Sequence, residues 1–302
     1  MNRAGADNAK FFSACPMQEI FPNTLPVPFY KMQGSGNDFV IILNDQLQLQ
    51  KESMALWASR ICQPSLGVGA DGLIFLHTEP QEKGIDYRWH FFNSDGSRAE
   101  MCGNGSRCAA WLAYHLGLAG KNHILGTDAG PIQAHVSPEQ GQVKVQLTSP
   151  KDLYLDIELS WSGQELLQVH YVDTGVPHVV YFSEDPDQLD IQALAPGIRY
   201  HSRFAPQGAN VNLVGFQGPE HLYVRTYERG VEGETLACGT GAAAAAVVAR
   251  ELGLCGDQIR ITTSGQEELN IFLQKGLIYL QGAAVLVFAG YLNPWAVQLE
   301  TD

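Results

Sequence analysis

Two cysteines head the same segment of sequence. Cys102-Gly-Asn-Gly-Ser-Arg-Cys-Ala-Ala-Trp-Leu-Ala-Tyr-His-Leu-Gly-Leu118 and Cys238-Gly-Thr-Gly-Ala-Ala-Ala-Ala-Ala-Val-Val-Ala-Arg-Glu-Leu-Gly-Leu254 run from Cys-Gly-x-Gly to Leu-Gly-Leu at identical offsets. Each reads as a helix start, where unpaired backbone N–H groups and the positive end of the helix dipole lower a thiol's pKa and bind a carboxylate. Inverting a carbon centre needs one group to remove hydrogen from one face and another to return it from the opposite face. A thiolate and a thiol on two pseudo-symmetric halves, facing one pocket, would supply both. The helix-start N–H groups would stabilise the charge that develops as the carbon beside a carboxylate loses its proton. This is what racemising an amino acid without any cofactor requires. An α-hydrogen is a far weaker acid than a thiol, so water exclusion, through closure of the halves over substrate, and placement of the carboxylate must provide much of the rate.

The elements that hold the cysteines follow from pattern. Ala242 to Ala249 offer no polar face before Arg250, the mark of a helix surrounded by protein, and the first copy is bulkier, with Trp111, Leu112 and Tyr114 offset by Arg107 and His115. Gly117 and Gly253 are placed to stop these helices, and a third helix is expected over Ser53 to Cys62. Phe39–Leu43, Gly72–Leu76, Tyr87–Phe92, Val143–Leu147 and His221–Tyr227 are strand-like runs bounded by turn residues. The expected fold is α+β, with two pseudo-symmetric domains that are each a curled, mostly antiparallel β-sheet or barrel around a central helix. The repeat continues upstream, since Gly36-Asn-Asp-Phe-Val40 precedes Cys102 much as Gly175-Val-Pro-His-Val179 precedes Cys238. The division is therefore an N-terminal arm over 1–28, a first domain of 29–145 plus 283–302, and a second of 146–282.

Composition narrows the partners. A formal charge of −13 with no Lys/Arg cluster argues against nucleic acid or anionic lipid. The apolar runs Leu236–Ala249 and Ala283–Leu292 are shorter than the roughly 20 residues that cross a bilayer. Residues 1–28 carry Arg3, Asp7, Lys10 and Glu19 and four prolines, which is no secretory signal, so the six cysteines are expected as reduced thiols in the cytoplasm. Cys15, Cys62, Cys108 and Cys255 lack the repeated context and are assigned to packing or surface; no His joins Cys102 and Cys108 at metal-ligand spacing. Gly67-Val-Gly-Ala-Asp-Gly72 matches GxGxxG, but an apolar strand follows it where a dinucleotide site needs a helix, so it is read as a plain loop.

From about Phe29 to Leu292 the chain resembles the diaminopimelate epimerase family. The resemblance rests on KMQGSGNDFV (31–40), LGVGADGL (66–73), FFNSDGSRAEMCGNGSRCAA (91–110), TGVPHVV (174–180), GANVNLV (208–214) and YERGVEGETLACGTGA (227–242), in family order. It implies a cofactor-independent isomerase that interconverts LL- and meso-diaminopimelate in lysine and peptidoglycan precursor biosynthesis, and a homodimer. Cys102 and Cys238 would be the acid/base pair, with Cys102 the thiolate acting on the LL isomer. Gly103, Asn104, Gly239 and Thr240 would hold the reacting carboxylate; Asn37, Asn93, Asn210, Glu228 and Arg229 would hold the amine and distal groups. Independently of family, Arg229 can pair bidentately with a carboxylate and Glu228, placed with both the catalytic and the binding groups, can accept from an ammonium. His178, also among the catalytic candidates, either sets thiol protonation or packs beside the site. Many members carry Asn where this chain has Val176, so one distal polar contact is expected to be missing. The rivals are a proline- or hydroxyproline-type racemase, in which a His typically replaces Asn104, and a non-catalytic amino-acid-binding protein.

Overall fold

The computed structural model of the protein describes residues 26–78, 82–161 and 166–293. The chain forms two compact units, Met1–Val145 with Ala283–Asp302 and Gln146–Gly282. The first opens with an antiparallel pair, β1 (Val27–Gly34) and β2 (Asn37–Leu43). Helix α1 (Lys51–Ile61) leads to β3 (Gly72–His77), parallel to β2, and β4 (Tyr87–Asn93) runs antiparallel to β3. The short β5 (Arg98–Ala99) folds back on β4 and delivers the chain to α2 (Gly103–His115). The strand β6 (Asn122–Thr127) is parallel to β4, and β7 (Gly130–Ser137) and β8 (Gln142–Gln146) follow antiparallel.

The second unit repeats every step. After β9 (Lys151–Leu159) come the antiparallel β10 (Leu167–Asp173) and β11 (Pro177–Phe182), then α3 (Ile191–Arg199) and β12 (Asn210–Gly218), parallel to β11. Antiparallel β13 (His221–Glu228) and short β14 (Gly233–Thr235) lead to α4 (Gly239–Glu251), and β15 (Gln258–Thr263), parallel to β13, is followed by β16 (Glu268–Gln274) and β17 (Leu277–Ala283). The last strand, β18 (Val285–Leu292), pairs antiparallel with β1, as β9 does with β10.

Each sheet has a helix on both faces, which is why its inner strands read as unbroken apolar runs. Val40 and Ile42 of β2 join Met54, Trp57 and Ile61 of α1 in one cluster, while Phe39, pointing the other way, lies against α2 at Gly105. Helix α2 buries all residues from Gly103 to Ala110, and α4 all from Gly241 to Val248. Helix α1 begins two residues ahead of its expected start, with Gln50 as an N-cap that makes no side-chain bond, so no capping residue marked the boundary.

One boundary is corrected. The arm expected over 1–28 ends earlier, because Val27 and Pro28 belong to β1, opposite Leu292 and Tyr291 of β18. Pairing with β2 begins only at Tyr30, so Pro28 sits where the strand has a single neighbour and its missing N–H costs little. Residues 1–25, with Cys15, lie outside the described residues.

Both cysteine-headed helices stop the same way. Gly117 (φ 71°) and Gly253 (φ 72°) take the left-handed conformation; Leu118 N–H donates to Ala113 O and Leu254 N–H to Ala249 O. These are paired Schellman caps, and they explain the repeated Leu-Gly-Leu. No atom lies within 4 Å of a Cβ built at Gly253, so only backbone strain opposes a side chain there. Gly253→Ala is expected to cost about 1 kcal/mol of stability and Gly253→Asn clearly less. Equal urea midpoints for wild type and the alanine variant would contradict this account.

Candidate active site

Cys102 is the N-cap of α2 and Cys238 the N-cap of α4. Each sulfur accepts the N–H of the second glycine of its motif, from Gly105 and from Gly241, at 3.4 Å. An N-cap residue has extended backbone while its side chain satisfies a first-turn N–H, so each thiol is held at the mouth of a helix whose dipole favours negative charge. Both cysteines are free thiols.

In the first unit, Cys102 Sγ lies 3.8 Å from Asn37 Oδ1, and Asn104 Nδ2 donates to the same oxygen at 3.4 Å. Asn37 is held in turn by Asp71, whose Oδ2 accepts from Asn37 Nδ2 at 2.6 Å and from Asp38 N–H at 3.0 Å. Lys31, buried, pairs with Asp38 at 2.6 Å and donates to Gly69 O, which ties β1 to the loop ahead of β3. Asn93, exposed at the end of β4 opposite Gly72, donates to Ser97 Oγ at 2.9 Å, and its neighbour Ser94 donates its N–H to Asp71 O. Cys102, Asn104 and Asn37 are thus in contact, with Asn93 linked through the Asp71 loop. The Gly67–Gly72 segment is a loop, and its acid positions Asn37. Lys31 and Asp71 were missed as site residues although both lie in quoted motifs; nothing in a single sequence ranks a supporting charge above a surface one.

The second unit surrounds its cysteine with polar side chains. Thr240 Oγ1 is 3.4 Å from Cys238 Sγ and 2.9 Å from His178 Nε2, so His178 reaches the thiol through one hydroxyl. Asn212 Nδ2 lies 3.1 Å from His178 Nδ1, and Thr174 Oγ1 donates to Thr240 O at 3.0 Å. Asn210 donates to Pro177 O at 3.1 Å and accepts the Arg229 N–H at 2.7 Å, fixing the turn that carries Glu228 and Arg229. Thr235 donates to Glu228 Oε1 at 2.5 Å. Cys238, Thr240, His178, Glu228, Arg229 and Asn210 therefore form one constellation. Thr174, Asn212, Thr226 and Thr235 were missed; the available signal was Asn210 and Asn212 alternating on one face of an otherwise apolar strand.

Electrostatics correct one expectation. The helix start was expected to lower thiol pKa values, but at Cys238 burial raises it first, and the nearby Glu228 charge and hydrogen bond raise it further; the Thr240 and Gly241 hydrogen bonds oppose them without prevailing. The helix end offsets part of a larger desolvation cost. Burial, assisted by the Arg229 charge, pushes His178 down to about 3, so its imidazole is neutral near neutral pH. Cys62 and Cys108 are buried thiols pushed up to about 12 by desolvation, and Cys255 is buried too, in keeping with packing roles.

The sequence matches the family described as diaminopimelate epimerase over residues 29–153 and 170–287. The diaminopimelate epimerase of Hydrogenobaculum sp. (strain Y04AAS1) is 44% identical over 272 residues, 87% of this chain and 97% of the relative. Among solved structures, a Bacillus anthracis phenazine biosynthesis protein of the PhzF family aligns with a TM-score of 0.69 at 16% identity, covering 89% of this chain and all 100% of its own. A probable proline racemase from Agrobacterium radiobacter K84 aligns with a TM-score of 0.66 at 13% identity over 90% of this chain and 96% of its own. At such identities these two structures share the fold and say nothing of substrate.

The buried imidazole has a measurable consequence. His178 titrates near 3 when folded and near 6.5 when unfolded, so between those values the unfolded state binds more protons. Its contribution to stability is therefore complete above about pH 6.5 and is lost as pH falls toward 3. His178→Gln should shrink the difference in unfolding free energy between about pH 7 and about pH 5 by about 2 kcal/mol. The same acid dependence in both proteins, by urea titration, would refute a buried neutral imidazole at this position.

Proposed function

The chain belongs to the diaminopimelate epimerase family, and we propose from that premise that Cys102 and Cys238 are the acid/base pair of an isomerase interconverting LL- and meso-diaminopimelate. The observation that carries the assignment is the matched pair of thiol N-caps, one at the start of each buried helix. As a thiolate, one sulfur takes the α-hydrogen as a proton. The Cα–H bond breaks, an S–H bond forms, and the electron pair passes toward the carboxylate. The other thiol then gives its proton to the opposite face of that carbon and becomes the thiolate, so each turnover exchanges their roles. Cys102 acts as base on the LL isomer and Cys238 on the meso isomer.

The helix-start amides of Gly103, Asn104, Gly239 and Thr240 bind the reacting carboxylate and stabilise its charge in the transition state. Asn37, held by Asp71, and Glu228 receive the amine, while Asn93, Asn210 and Arg229 select the distal end. The Arg229 guanidinium is suited to a second carboxylate. Val176 supplies no polar side chain to that end. His178 acts on Cys238 through Thr240 and does not touch substrate. The proline-racemase reading has only the shared fold in its favour. We assign the enzyme to the cytoplasm, a compartment in which the reduced thiols that the mechanism needs persist, and a homodimeric state.

Cys102→Ala and Cys238→Ala should each lose activity by at least 10²-fold, the scale of a positioned acid or base, while staying folded. Incubation with LL-diaminopimelate in deuterated water should place deuterium at one α-carbon of the product. Turnover retained in either variant would sink the two-base mechanism, and a product without deuterium would exclude exchange through a thiol.

A further inference from the structure

The two units share one frame, so their residues can be matched by register. In the first, β2 aligns Phe39 with Gly72 on β3, and Ile74 faces Phe91 on β4. In the second, β11 aligns His178 with Asn210 on β12, and Asn212 faces Thr226 on β13. His178, Asn212 and Thr226 therefore occupy the places of Phe39, Ile74 and Phe91. The helices agree: a Cβ at Gly105 would meet Ile74, Trp89 and Phe39, and one at Gly241 would meet Asn212 Oδ1 at 2.4 Å and Thr226 Oγ1 at 3.0 Å. An apolar lining behind one cysteine is replaced by a hydrogen-bonded polar one behind the other.

The polar set has only one consistent direction. Thr226 Oγ1 donates to Asn212 Oδ1 at 3.0 Å, and Asn212 Nδ2 donates to Val179 O at 2.9 Å. Those partners fix the amide orientation from both ends, since a carbonyl can only accept. The second amide hydrogen then points at His178 Nδ1, 3.1 Å away, and that nitrogen must be an acceptor. A neutral imidazole carries one N–H. It must sit on Nε2, facing Thr240 Oγ1 at 2.9 Å. With its oxygen accepting that bond, the Thr240 hydroxyl has its own hydrogen to offer, and Cys238 Sγ is 3.4 Å away.

We propose that Asn212, braced by Thr226, is a positioning residue that fixes the Nε2–H tautomer of His178 and so turns the Thr240 hydroxyl hydrogen onto the Cys238 sulfur, stabilising its thiolate. This rests on reading Cys238 as one of the two bases. Asn212 is fully buried and Thr226 nearly so, and neither has a place in the proposed binding of substrate. The charged groups that act on the thiol and the imidazole are Glu228 and Arg229, at the end of β13 and just beyond it. A hydrogen bond to a charged acceptor is among the stronger ones.

The test reverses the relay with Asn212→Asp, close in shape but able only to accept. Nitrogen-15 spectra of the histidines should show His178 neutral with its proton on Nε2 in wild type and on Nδ1 in the variant. Alkylation by iodoacetamide at fixed pH should show the Cys238 to Cys102 rate ratio falling roughly tenfold in the variant, with Cys102 as internal control for folding. An added charge acting through space is separated by repeating the substitution in Thr240→Val, where the relay has no last link; there the ratio should not change further. A wild-type imidazole protonated on Nδ1, an unchanged ratio, or an undiminished effect in the Thr240→Val background would each overturn the proposal. Should Asn212→Asp fail to fold, the wild-type tautomer decides. None of these readouts uses substrate, so failure to turn over diaminopimelate would overturn the functional reading separately.

Discussion

A sulfur that accepts a backbone N–H in the first turn of a buried helix is the constraint around which each half is arranged. Sulfur is a weaker acceptor than the oxygen of Ser or Asp that usually caps a helix, so the stability of α2 and α4 has to come from elsewhere. It comes from burial on all sides, and burial dictates the residues. The run of alanines in α4 lets strands of the surrounding sheet approach closely, and the second glycine of the motif has space for no side chain beside Asn212. At Cys238 the same burial desolvates the thiol and raises its pKa. The cap that makes the sulfur reactive and the packing that makes it reluctant are therefore one structural decision.

The halves surround their thiols with different side chains on the same frame. Behind Cys238, His178 is kept neutral by burial and joined to the sulfur through Thr240. Behind Cys102, Phe39 and Phe91 pack edge to face at 5.8 Å in the places that His178 and Thr226 hold in the other half. The polar neighbour of Cys102 enters from the strand end, where Lys31, Asp38 and Asp71 hold Asn37 in place. A duplicated scaffold has thus kept its topology and its caps while the electrostatic environment of each thiol diverged.

Much of this was legible in the residues. The repeated Cys-Gly-x-Gly and Leu-Gly-Leu marked both ends of both helices because each has a local physical meaning, a cap at one end and a left-handed glycine at the other. The all-alanine stretch announced a buried helix for the same reason. The supporting polar residues were not legible. Asp71, Thr174, Asn212 and Thr226 act through partners far away in sequence, and pattern alone cannot distinguish a buried asparagine that directs a histidine from one at a turn. The balance of helix dipole against desolvation was not legible either, because the extent of burial at Cys238 is a property of packing.

The first unit is discontinuous, and that has a consequence for how the protein is made. The outer edge of β1 is completed only by β18, and the entire second unit is encoded between them. On a ribosome, residues 146–282 emerge and can fold while β1 still presents an open strand edge, for a period on the order of ten seconds at ordinary elongation rates. An open edge is a template for pairing with another chain, and Pro28, with no N–H to offer, stands on it. The half synthesised first waits on a strand encoded after the other half, so the arrival of β18 decides whether Cys102 acquires a complete domain.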